Sequence, residues 1–186
     1  MIKLNAKELR ISNPTEEELV QIKRNPITII IDNVLDTYNI GAIFRVADSI
    51  AAEKIYLCGK TETPPYHKIQ KASVGTWQWV PWQYVKTAVS AIAKVKSQKS
   101  PASPSEAGRA KIKIIAIEQH PKSVAYTQIK YEFPIAFVIG HETEGISKEV
   151  LSLADHIVEI PMYGVNKSLN VMVSLAIVSY FSLSSI

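Results

Sequence analysis

Three short segments bring together residue types that could grip a polar ligand and act on it. The first is Asn39-Ile40-Gly41-Ala42-Ile43-Phe44-Arg45, where a loop enters a helix. Asn39 is suited to cap that helix, Gly41 permits close approach of backbone or ligand, and Arg45 leaves the polar face about one turn in. A simple capped helix with Arg45 paired to Asp48 at i,i+3 would account for the same residues. The second segment, Phe137-Val138-Ile139-Gly140-His141-Glu142-Thr143-Glu144-Gly145-Ile146-Ser147, is an apolar strand entering a glycine-bounded turn with carboxylates inside. Ligand loops at the C-terminal ends of parallel strands look like this. In the third, Ile160-Pro161-Met162-Tyr163-Gly164-Val165-Asn166-Lys167-Ser168-Leu169-Asn170-Val171, a strand ends in a loop that enters an apolar helix. Capping accounts for Ser168, whereas an amide at Asn170, two residues into a buried helix, needs a partner.

These segments require a scaffold, and the chain supplies one. Ile27 to Ile31 is a β-branched run of strand length after Pro26, and from Ile40 to Ala51 a helical projection puts Ile40, Ile43, Phe44, Ala47, Ile50 and Ala51 on one face. Further strands are expected over 54–57, 112–117 and 135–139, with helical stretches near 83–95 and 147–154. Such alternation predicts a mainly parallel sheet with helices on both faces. At 186 residues and 47% hydrophobic, the chain suits one domain, 1–186, with a short extension over 1–26. The Ser- and Pro-rich stretch at 97–110 is expected to be a mobile insertion.

Charge and composition narrow the function classes. Residues 60–130 hold twelve Lys or Arg against three Glu, a local +9 within a chain of net +4, which suggests a polyanionic partner approaching one side. Cys58 is the one cysteine, so an intramolecular disulfide and a thiolate metal cluster are excluded, and it reads as a buried residue ending a strand. The opening residues match neither a secretory signal nor a transit peptide, which predicts a cytoplasmic protein. Ser168 to Ile186 carries no charge, yet six of its residues are Ser and one is Asn. Burial against the sheet and a second subunit fits it better than a membrane anchor. Among the tryptophans, Trp77, Trp79 and Trp82 read as packing rather than a base-stacking platform.

Several nucleotide and metal motifs are missing. No G-x-G-x-x-G follows the first strand, and Gly59-Lys60-Thr61 lacks the earlier glycine of a phosphate loop, since Lys54 stands there. His141-Glu142 would need a second histidine where Gly145 stands.

In this order and spacing, the three segments closely resemble the signature motifs of the SpoU or TrmH-type family of RNA ribose 2'-O-methyltransferases. The resemblance spans about residues 27 to 183 and is weakest across 97 to 130. Ala72-Ser73-Val74-Gly75 also looks like the family's segment ahead of its central helices. It implies the SPOUT fold: α/β, a mainly parallel sheet flanked by helices, with the C-terminal part threaded into a deep trefoil knot. Neither composition nor periodicity predicts a knot, and the general rule is against one. It further implies S-adenosyl-L-methionine as cofactor, tRNA or rRNA as partner, no metal, and a homodimer through the knot region and C-terminal helix.

Residue by residue, the resemblance gives Asn39, Arg45, Glu142, Ser168 and Asn170 the catalytic places. Backbone around Gly140, Ile160, Met162 and Leu169, with Ile117 from the preceding strand, would hold the cofactor's adenosine. His141 stands where Asn is commonest, and Met172 where a small residue is usual. With no added RNA-binding domain before residue 27, substrate choice is expected to rest on the core and its dimer. A guanidinium is a donor with no acceptor site, so Arg45 is expected to stabilise an alkoxide rather than act as a base. The rival classes are a catalytically silent knotted RNA-binding protein and a SPOUT enzyme that methylates an RNA base.

Overall fold

A computed structural model of the chain describes residues 13–97 and 111–185. Beyond Ser97, the expected 97–110 insertion lies outside the described residues, as do residues 1–12 of the N-terminal extension. Seven parallel strands form one sheet: β1 (Asn25–Asp32), β2 (Ala52–Cys58), β3 (Trp82–Val85), β4 (Lys113–Ile117), β5 (Val124–Ala125), β6 (Ile135–Gly140) and β7 (His156–Glu159). Their spatial order is β3-β2-β1-β6-β4-β7-β5. The mainly parallel α/β architecture is therefore as the strand–helix alternation predicts.

The central strands are largely apolar on both sides because helices cover both faces. On one side of β1, Ile27, Ile29 and Ile31 pack with residues of α2 (Thr37–Ser49), α3 (His67–Ser73) and α6 (Val171–Leu183), including Ile43, Phe44, Ile69 and Leu175. On the other, Ile30 packs with α4 (Ala88–Ser97) and α5 (Lys148–Leu151) through Ala91, Ile92 and Val150. A fully buried side chain of this size contributes about 1.5–3 kcal/mol.

This order has a consequence for function. The chain lays down β1, β2 and β3 in one direction, crosses back to β4, and later fills the gap between β1 and β4 with β6. The C-terminal ends of β1, β6 and β4 thus lie side by side at a topological switch, where open α/β sheets bind ligands.

Several local expectations change. Gln83 to Val85 is strand, pairing with β2 from Tyr56 to Cys58, and the following helix starts at Ala88. The run Trp82-Gln83-Tyr84-Val85 after Pro81 is rich in strand-forming side chains, which overrides the helical spacing of the stretch that follows. Helix α2 begins at Thr37 with Asp36 as its cap, accepting from the Tyr38 amide at 2.8 Å, so Asn39 does not cap it. At the other end Ala51 has left the helix, with φ 48°. The 147–154 stretch contains only the short helix α5.

Other readings hold. Cys58 is fully buried at the end of β2, where burial and the nearby Asp32 charge push its thiol up to about 12. Trp79 is buried and donates its indole N–H to Asp48 at 2.7 Å, while Trp82 meets Phe44 edge-on at 6.4 Å. Trp77 packs against the same core. Among the described residues, no helix is long and apolar enough to cross a membrane. One reading does not hold: the positive charge of residues 60–130 is not gathered on one side, since Lys68 and Lys71 ride on α3 and Lys94 and Lys96 on α4 across the sheet.

Candidate active site

The loop after β6 carries Glu142 to the first turn of α2. One carboxylate oxygen accepts from the Asp36 amide and from Asn39 Nδ2, both at 3.0 Å, and the other from the Leu35 amide at 3.2 Å. Burial alone would raise the Glu142 pKa, but the hydrogen bonds from Asn39 and from the Glu142, Leu35 and Asp36 amides outweigh it, holding the group below the usual carboxylate value. An ionised carboxylate only accepts, so Asn39 must turn its amide nitrogen toward it. Asn39 Oδ1 is thereby left to accept from Asn170 Nδ2 at 2.8 Å.

Asn170 completes the relay. Its Oδ1 accepts from the Met172 amide at 2.9 Å and the Val173 amide at 3.4 Å, making it the cap of α6. The helix starts at Val171 rather than before Ser168, so the sequence reading had the two residues reversed: Asn170 caps, and Ser168 is an exposed loop residue. The partner that Asn170 needs is Asn39. Three segments far apart in sequence are thus joined by one directional chain of hydrogen bonds, Asn170 to Asn39 to Glu142.

Beside this chain lies a cavity of about 560 Å³, within the usual range for a small-molecule site. The predicted cofactor residues Ile117, Gly140, Ile160, Met162 and Leu169 all line it, as do Glu142, Ser168 and Asn170. Asn39 and Arg45 stand outside its lining. Gly140 could not be any other residue: a Cβ there would fall 2.4 Å from backbone atoms of Gly145 and Ile146.

The wall that carries Glu142 is held from both neighbouring strands. From β1, the buried Asp32 accepts the Ser147 amide at 3.1 Å and its hydroxyl at 2.8 Å. Just past β4, Glu118 accepts the Ile146 amide at 2.8 Å. Inside the loop, His141 Nδ1 accepts from the Thr143 and Glu144 amides at 3.0 and 3.1 Å. This acceptor role toward following amides is the one an Asn side chain plays in turns, which accounts for a histidine in that position.

Arg45 differs from all of these. It is exposed on α2, and among the described residues it makes neither a hydrogen bond nor an ion pair. Pairing with Asp48 does not occur, because Asp48 is engaged by Trp79. Burial raises the Asp48 carboxyl pKa, and the Trp79 bond and the Arg24 charge offset part of that.

Residues 26–180 match the profile of the SpoU rRNA Methylase family. The chain belongs to this family. The tRNA (guanosine(18)-2'-O)-methyltransferase of Borreliella burgdorferi is 27% identical over 165 residues, 88% of this chain and 69% of that protein. The Escherichia coli K12 enzyme of the same name is 27% identical over 172 residues, 90% of this chain and 69% of the enzyme. The crystal structure of the A. aeolicus TrmH/SpoU tRNA modifying enzyme covers 97% of this chain and 81% of its own, with 26% identity and a TM-score of 0.74. The fold is also that of the SpoU methyltransferase AviRb from Streptomyces viridochromogenes in complex with AdoMet, at 22% identity and TM-score 0.75, covering 89% of this chain and 62% of AviRb.

Within this SpoU family site, sequence reasoning missed Asp32 and Glu118. Both lie at the C-terminal end of a parallel strand, a position that flags functional residues once the strands are placed. It also missed Gln119, whose amide donates to the Lys167 carbonyl and ties the two cavity walls together.

Proposed function

We propose that the chain transfers a methyl group from S-adenosyl-L-methionine to a ribose 2'-hydroxyl of RNA, with tRNA the first substrate class to test. The observation that carries this reading is the Asn170–Asn39–Glu142 relay bordering the cavity, with an unpaired Arg45 on the same helix as Asn39. The family and its tRNA-modifying relatives point the same way.

The cavity suits the cofactor chemically. Ile117, Ile160, Met162 and Leu169 offer apolar contact for an adenine, Gly140 brings backbone within reach, and Glu118 and Glu159 at the rim suit a ligand with positive charge. When bound, the cofactor supplies an electrophilic methyl on a sulfonium. The protein's task is then positioning, which can supply roughly 7–11 kcal/mol of a barrier.

The Arg45 guanidinium clamps the adjoining phosphate and stabilises the alkoxide as the hydroxyl proton passes to water. Glu142 is a poor base, because three N–H donors already occupy its oxygens and hold it ionised. Glu142 and Asn39 instead fix the first turn of α2, the helix that carries Arg45, while Asn170 fixes the start of α6. Ser168, exposed on the cavity wall, is placed to meet cofactor or ribose.

The same reading takes the chain as one SPOUT domain, cytoplasmic, metal-independent, knotted at its C-terminal part and dimeric through that region and α6. The half-exposed Tyr180 on α6, 52% accessible, supports a second copy there. Incubation with radiolabelled S-adenosylmethionine and pooled unmodified tRNA and rRNA, followed by nucleoside digestion, tests the reaction. A labelled 2'-O-methylnucleoside is expected; label on a base, or cofactor binding without transfer to any RNA, contradicts it.

A further inference from the structure

The seam between α2 and α3 is tight. A Cβ on Gly41 would lie 2.6 Å from Ala72 Cβ and 2.7 Å from the Ile69 carbonyl, so no side chain separates the helices there. With Ile69, Ala72 and Ser73 turned toward α2, His67, Lys68, Gln70 and Lys71 are left exposed. Arg45 follows Gly41 by one turn and so projects along the same flank of α2. Lys60, also exposed, stands in the loop that leads from β2 into α3.

This flank is cationic and unneutralised. Between residues 59 and 75 there are three lysines and a single carboxylate, Glu62. Among the described residues, the ammonium groups of Lys60, Lys68 and Lys71 make no ion pair or hydrogen bond. At the entrance to α3, the Tyr66 ring is 37% exposed and lies 4.8 Å from the His67 ring, offering an aromatic surface beside the charge. Lysines at i and i+3 on a helix lie on one face as neighbours, a spacing that lets them meet phosphates along one strand.

We propose that Lys68 and Lys71 form a phosphate-binding ridge that holds the RNA strand flanking the ribose presented to Arg45. The inference rests on reading the chain as an RNA methyltransferase. Lysines of this kind set affinity and register without reading bases. The Gly41 contact fixes the ridge relative to Arg45, so strand position and reacting ribose are set together.

The test measures binding of the full chain to an unmodified tRNA transcript across a salt series, with methyl transfer recorded in parallel. For K68Q/K71Q, affinity falls roughly five- to tenfold and the slope of log K against log salt shrinks by about 1 to 2, since fewer counterions are released. Transfer measured below saturating RNA falls in step with the affinity. K23Q/K111Q, changed at the N-terminal ends of β1 and β4 away from the site, keeps the wild-type slope. If the glutamine pair lowers the thermal midpoint, the single exchanges K68Q and K71Q carry the test: a slope reduced by about 1 in either supports the ridge, and a wild-type slope in both overturns it. An unchanged slope in folded K68Q/K71Q, or an equal loss in K23Q/K111Q, overturns the ridge alone when wild type methylates tRNA. A wild type that neither binds nor methylates RNA overturns the functional reading itself.

Discussion

Asn39 and Arg45 lie on one helix in opposite circumstances. Asn39 is 7% exposed, and its side chain both donates to Glu142 and accepts from Asn170. Around Arg45 nothing is engaged, although the guanidinium offers five donors. Hydrogen-bonding capacity spent inside the protein serves position; capacity left open faces whatever arrives from solution. Asn39 is therefore structural, and Arg45 is the proposed contact with substrate.

The sharpest way to break this contrast is to alter the open end. Arg45→Lys keeps the charge but loses the planar fork, and transfer is expected to fall by about 10²–10³, the usual loss when one donor to a developing oxyanion is removed. Lysine supporting near-native turnover in a steady-state assay would mean the fork is not used.

At the closed end the loss moves to stability. Asn39→Ala leaves Glu142 short of a donor and Asn170 short of an acceptor, and urea unfolding is expected to show a loss of about 1–3 kcal/mol. Asn170→Ala removes the α6 cap as well as the link to Asn39, with an expected cost of about 0.5–2 kcal/mol. The contrast is blurred if either variant unfolds like wild type while losing activity.

The relay also responds to acid. Because its folded pKa is lowered, Glu142 contributes stability above the unfolded carboxylate pKa and loses it as pH falls through the folded value. Glu142→Gln should therefore flatten the acid limb of a stability–pH curve measured below about pH 4.5. The smallest effect is expected at His141. His141→Asn retains an acceptor for the Thr143 and Glu144 amides and stays within about 0.5 kcal/mol of wild type, whereas His141→Ala opens the turn; thermal melts of the pair check this.

Much of the scaffold was legible because burial writes a local pattern. The isoleucine runs of β1 and the spaced apolar face of α2 are read from neighbouring residues, and both proved buried. The strand at 82–85 was lost in helical spacing because four residues carry little periodicity. The candidate site residues were named by family resemblance, and all five cofactor positions came to line one cavity. What no local reading could supply was their connection. Asn39 meets Glu142 across 103 positions and Asn170 across 131, so only the folded sheet order brings them together. Helix starts failed for a related reason: Asp36 and Asn39, or Ser168 and Asn170, are all competent caps, and tertiary contacts choose between them.

The most direct test of the central claim compares Arg45→Ala with wild type in two readouts at once, single-turnover methyl transfer to tRNA and thermal midpoint. The account predicts separation: transfer falls by at least about 10² while the midpoint stays unchanged, because the side chain holds nothing within the protein. A variant that transfers normally, or one that loses stability in step with activity, would contradict it.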